Sequence, residues 1–284
     1  MPANRYPIFI QRPQIGWSNT IVTTNTTKDG TTGTFERTMF QSGAASGNAE
    51  GSYVDYVRVK SLGTNLATVG RVFLCIGLGD RTVANDNFML SEITLPATTW
   101  TETTALPDFT VPLKIAIPHN ANLYVSIANT INAGWQFTTV GGDYVALSPM
   151  FVDKPQSNFS GTVTTQNQTR FGTGTLTQVW RSPSSNVIAT YLDHIRIKPI
   201  GTNVASVARV WINNGGVTTV ANNNTLFTEV ALPAITLNEA IGQVDIPISM
   251  KLFLPQSYNV YVTLGTTVAA GWTFTGIGGV VTPP

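Results

Sequence analysis

The chain has 284 residues, a net charge of +1, and only 11% charged against 42% hydrophobic residues. That length suits two domains at the usual size of roughly 100–200 residues each, and the balance excludes a disordered polyelectrolyte. Nucleic-acid binding needs concentrated Lys and Arg to displace counterions, and sixteen basic residues scattered among fifteen acidic ones do not supply it.

A single cysteine, Cys75, excludes an intrachain disulfide, so nothing demands an oxidising compartment. No apolar run approaches the roughly 20 residues that cross a bilayer. The run Pro7-Ile8-Phe9-Ile10 is far shorter than the roughly 7–15 residues of a secretory core. The polar surface must come from Thr, Asn, Ser and Gln. Such a neutral skin favours association. A protein made in the cytoplasm and later exposed on a virus particle fits this combination.

In chain order, residues 1–14 read as an extended arm. Pro2, Pro7 and Pro13 forbid a helix there. Tyr6, Ile8, Phe9 and Ile10, with Trp17 just beyond, are too apolar for a free tail and are the candidate contact residues. They pack either on their own domain or on a neighbouring subunit. A first domain is expected over 15–146, a connector over 147–160 and a second domain over 161–284.

Strands are expected over 53–60, 71–74, 89–95, 113–117, 122–127 and 135–140, each short and alternating. In the first of these, alternation puts Asp55, Val57 and Val59 on one face. Val54, Tyr56, Arg58 and Lys60 fall on the other. Gly63-Thr64-Asn65 makes a turn that tolerates positive φ. No window has helical periodicity. About eight strands per domain suit a jelly roll, with an immunoglobulin-like sandwich as the alternative.

Most of this is written twice. Glu92-Ile93-Thr94-Leu95-Pro96 returns 137 residues on as Glu229-Val230-Ala231-Leu232-Pro233. Ala133-Gly134-Trp135 returns as Ala270-Gly271-Trp272, and Gly141-Gly142 as Gly278-Gly279. The fold class is therefore all-β, two tandem antiparallel β-sandwich, jelly-roll-like domains from an internal duplication.

Several charges repeat: Asp55/Asp193, Arg58/Arg196, Lys60/Lys198, Arg71/Arg209, Glu92/Glu229, Glu102/Glu239, Asp108/Asp245 and Lys114/Lys251. Acid–base work needs such groups gathered in a pocket, and the sequence shows no cluster. Pairing across strands is the expected role. Trp135 and Trp272 are expected as core aromatics at the start of the last strand, with a sugar-stacking platform as the alternative. His119 and His194 sit at non-equivalent places. Nucleophile-elbow, Walker and zinc signatures fail, so no catalytic residue, metal or cofactor is assigned. Asn85-Asp86-Asn87 is the one place a calcium ion could be considered.

Ile15-Gly16-Trp17, residues 55–60, Leu62-Gly63-Thr64-Asn65, Asn85-Asp86-Asn87, Glu92-Ile93-Thr94-Leu95-Pro96, Ala133-Gly134-Trp135 and Gly141-Gly142-Asp143-Tyr144 form a recognisable set. Residues 15–144 thereby resemble a repeat of virion-associated proteins of tailed bacteriophages. The second repeat departs, lacking Ile-Gly-Trp and ending Gly278-Gly279-Val280-Val281. The resemblance implies a non-enzymatic structural virion protein that decorates or cements the capsid. Its partners would be the major capsid protein or other virion proteins. Homo-oligomers, dimers or trimers, are expected, without nucleic acid or membrane. A tail or head-fibre component that binds a glycan or receptor is the alternative.

Overall fold

The computed structural model describes residues 10, 12–26, 36–43, 51–76, 87–144, 154–169, 171–185, 187–236 and 244–281. The first repeat holds β1 (Arg12–Trp17), β2 (Glu36–Gln41), β3 (Gly51–Ser61), β4 (Thr68–Cys75), β5 (Asn87–Leu95), β6 (Asp108–Pro118), β7 (Asn122–Ile127) and β8 (Trp135–Tyr144). The second holds β9 (Lys154–Phe159), β10 (Thr177–Arg181), β11 (Ala189–Pro199), β12 (Ser206–Asn213), β13 (Asn224–Leu232), β14 (Ile246–Pro255), β15 (Asn259–Leu264) and β16 (Trp272–Val281). One short 3₁₀ turn, Ala221–Asn223, precedes β13.

Each repeat forms two four-stranded antiparallel sheets. The orders are β1-β8-β3-β6 and β2-β7-β4-β5, repeated as β9-β16-β11-β14 and β10-β15-β12-β13. Eight strands in two facing sheets of this order make a jelly roll. The chain is all-β, two tandem sandwiches. The sheets begin earlier than the expected domains do. β1 starts at Arg12, inside the expected arm, and β9 lies inside the expected connector.

The expected strand faces hold in β7, where Leu123, Val125 and Ile127 are all buried in the first core. They do not hold in β3. Val54 is fully buried with Val57 and Val59, whereas Arg58, expected on the same face as Val54, is only half-buried. The reason is a β-bulge. The register of β3 slips between Val54 and Tyr56 against both its neighbours: Asp55 is an extra residue against β8, and it faces two residues, Leu113 and Lys114, in β6. One inserted residue reverses the parity of everything before it. β11 has the same slip between Leu192 and His194, so Leu192 joins Ile195 and Ile197 in the core.

The bulge explains two repeated motifs. Asp55 is turned out to meet Lys114, which has φ of 54°, and Asp193 meets Lys251 at φ of 48°. Opposite the bulge, Gly141 and Gly278 leave room for a carbonyl. A Cβ at Gly278 would lie 1.9 Å from the Tyr191 oxygen, and one at Gly141 2.3 Å from the Tyr53 oxygen. Gly278→Ala is expected to cost about 1–3 kcal/mol through backbone displacement. Gly161→Ala should be near neutral, because nothing lies within 4 Å of the added carbon. Urea unfolding of the two variants compares them; equal midpoints would remove the steric account.

Two other repeated motifs turn out to be one device. Asn65 Oδ1 accepts the backbone N–H groups of Ala133 and Gly134 at 3.0 and 2.8 Å, and its Nδ2 donates to the Gly134 carbonyl. Asn203 does the same with Ala270 and Gly271. The Gly-Thr-Asn turn thus pins the Ala-Gly-Trp turn, where Gly134 and Gly271 have φ near 90° and a side chain would be strained. Trp135 and Trp272 follow and are fully buried, as expected of core aromatics.

Candidate functional site at the junction of the two sandwiches

The repeated charges pair across neighbouring strands, as the sequence led one to expect. Arg71 and Glu92 are direct partners in the β4–β5 register and join at 2.9 Å. Arg209 and Glu229 repeat this in β12–β13, also at 2.9 Å. Arg58 meets Asp108 at 2.5 Å, and Arg196 meets Asp245.

In the second repeat this pattern is extended across the junction. The Lys60 ammonium, from β3 of the first sandwich, lies 3.1 Å from Glu229 Oε2 and donates to the Leu106 carbonyl. The Leu106 N–H donates to the same Glu229 oxygen at 2.9 Å. Arg209 Nη2 reaches back to Glu102 at 3.0 Å, and its guanidinium lies 4.2 Å from the Trp100 ring centroid. Lys60, Glu229 and Arg209 are shut off from water. Burial pushes the Lys60 ammonium below the usual lysine range, opposed by the Glu229 carboxylate, which favours the charged form. Such a cluster holds only because each charge has a partner.

Around it the two faces interlock. Thr138 and Thr225 share a hydrogen bond of 2.7 Å, and the Leu226 N–H donates to Gln136 Oε1. Arg58 lies over the Phe227 ring at 4.5 Å. Leu62 clusters with Trp211 and Leu226. At the other end, Trp17 Nε1 donates to the Asn222 carbonyl at 3.1 Å, and its ring meets Tyr258 edge-on. Tyr258 donates to the Ile15 carbonyl, and burial raises its phenol pKa to about 12.

Of the candidate contact residues, Trp17 therefore anchors the first sandwich to the second. Ile10 is half-buried over Gly142, where an added Cβ would strike it at 2.1 Å. Tyr6, Ile8 and Phe9 lie outside the described residues, as do Asn85, Asp86 and Glu239. Asn223 and Asn224, which repeat Asp86 and Asn87 at the offset of 137, donate to loop carbonyls of Val217, Thr218 and Val220. His194 contacts Asp193 at 2.8 Å, and His119 lies against Gly43 of its own sandwich. Asp143, from the resemblance set, accepts bonds from Gln14, Gly43 and Ser52 and so ties β1 to β3.

A groove of about 540 Å³ runs along β9 and β10 of the second sandwich. Gln156, Asn158, Gln178 and Arg181 line it beside Phe159, which is 79% exposed. Sequence reasoning missed both this groove and the junction. Only the apolar surplus at Phe159, in an otherwise polar segment, hinted at the first.

No family model matches the chain, and no curated protein does. Among solved structures, the chain is similar in shape to a phage-related one. The crystal structure of the PBSX exported protein XepA covers 98% of this chain and 99% of that chain, at 9% identity and a TM-score of 0.24. A likeness so distant carries no argument about function.

Proposed function

We propose that this chain is a non-enzymatic structural protein of a tailed-phage virion that decorates the capsid through protein–protein contacts. One observation carries the reading: the repeated residues are spent on the scaffold. The Asp–Lys and Arg–Asp pairs, the stapling asparagines and the core tryptophans all hold sandwiches together, leaving a neutral Thr- and Asn-rich exterior. Two such sandwiches can engage equivalent lattice surfaces with the gain of avidity. The major capsid protein is the proposed partner, and the arm before β1 the proposed contact.

The test is a pull-down with empty capsids lacking the protein, scored by electron microscopy. Regular binding over the shell is expected. Deleting residues 1–9 spares β1 and the Ile10 contact with Gly142, and should abolish that binding while leaving the melting transition unchanged. A truncated chain that still decorates would remove the arm's role, and no shell binding by the full chain would remove the capsid reading.

A second reading, a glycan- or receptor-binding component of a tail or head fibre, is favoured by the β9–β10 groove. An exposed aromatic ring flanked by amides and a guanidinium suits sugar stacking. Phe159→Ala should then abolish binding on a glycan array without a loss of stability.

A further inference from the structure

The junction joins two different faces. The face of the first sandwich around Lys60 and Leu62 receives the face of the second around Glu229 and Leu226. Because the chain is a duplication, each sandwich also carries the other face, and the described residues leave those two uncovered.

The same register positions have opposite fates. On the receiving face, the Lys60 side chain is 2% exposed, whereas its counterpart Lys198 is 57% exposed. Leu62 is 1% exposed and its counterpart Ile200 is 47% exposed. On the inserting face, the Glu229 side chain is 1% exposed and Glu92 is 36% exposed. Leu226 is 1% exposed and Met89 is 40% exposed, with Phe88 open beside it. The frames that present these residues are the same. β5 and β13 carry one bulge at the same register, between Val72 and Phe73 and between Val210 and Trp211 of the facing strands. Arg71 holds Glu92 as Arg209 holds Glu229.

We propose that the chain assembles head to tail with further copies of itself. The β5 face of one chain docks on the β11–β16 face of the next and rebuilds the internal junction between chains. Glu92 then takes the place of Glu229 beside Lys198, and Met89 takes the place of Leu226 beside Ile200. Charge is complementary: Lys198, beside Asp245 and 57% exposed, faces the Glu92 carboxylate that Arg71 holds. Apolar residues otherwise in water meet each other. Because the two faces differ, the contact is heterologous. It closes into a ring if the rotation per chain permits and grows as a filament if it does not. The inference stands on the repeat geometry and does not depend on the virion reading.

The test uses two variants of the full chain, Met89→Glu on the inserting face and Ile200→Glu on the receiving face. Both positions are exposed, so each variant should melt as the wild type does. By sedimentation velocity at rising concentration, the wild type is expected to exceed the mass of one chain. Each variant alone should run as a single chain. An equimolar mixture should give a dimer and nothing larger, because each variant retains the face the other has lost. A wild type that stays monomeric would overturn the proposal. So would variants that assemble as the wild type does, or a mixture that stays monomeric, since the last would mean a symmetric contact.

Discussion

Glu229→Gln is expected to destabilise the protein by about 3–5 kcal/mol, the loss seen when one partner of a buried charge pair is removed. The change keeps the shape of the side chain and removes its charge. Lys60 and Arg209 would then face each other across a dry junction without the carboxylate that joins them. The Leu106 N–H would lose its ionic acceptor. Glu92→Gln is the control provided by the duplication. The same side chain, paired to the same arginine in the same register, is partly in water there, and the loss should fall within roughly 0.2–1 kcal/mol. Urea unfolding of both variants reads the difference. Equal losses would mean that docking of the sandwiches does not enclose Glu229 in solution. Adding 1 M salt should shrink the Glu92 effect and leave the Glu229 effect largely intact, because screening acts on exposed charge.

The second large effect is at the tryptophans. Trp135→Ala and Trp272→Ala should each cost about 3–5 kcal/mol, on the order of 10 °C in melting temperature. Both rings are fully buried at the start of the last strand of their sandwich. Neither indole N–H has a hydrogen-bond partner, so the loss is one of packing. Trp272→Phe should therefore cost clearly less than Trp272→Ala. Trp211 makes a contrast, since its N–H donates to Thr263 Oγ1 at 3.1 Å. Replacing it by Phe forfeits that bond as well. Differential scanning calorimetry separates the cases. An unchanged transition in Trp272→Ala would show that the ring is not part of the core.

Much of the fold was legible because it is local. Period-two alternation marked β7 and β6, and turn residues marked where strands end. The repeat of Glu92–Thr94 as Glu229–Ala231 disclosed the duplication without any structure. The expected pairing of repeated charges also came from local logic, since Arg and Glu on adjacent strands are the unit of sheet stabilisation. Less of the candidate site was legible. Lys60 and Lys198 sit in near-identical sequence, Val57-Arg58-Val59-Lys60 and Ile195-Arg196-Ile197-Lys198, and no reading of either could say which would be buried.

The sequence by itself determined the all-β class, the two repeats and the turns pinned by Asn65 and Asn203 as turns, and it favoured the burial of Trp135 and Trp272. These follow from spacing and side-chain chemistry along a few residues. Only the tertiary structure decided the rest. It placed a bulge at Asp55 that turned Val54 inward, because a slip in register is set by the neighbouring strand and not by the strand itself. It joined the Gly-Thr-Asn and Ala-Gly-Trp motifs, which lie far apart in the chain. It also gave Glu92 and Glu229 opposite environments, because burial is fixed by what docks on a face, and that is a property of the assembled pair.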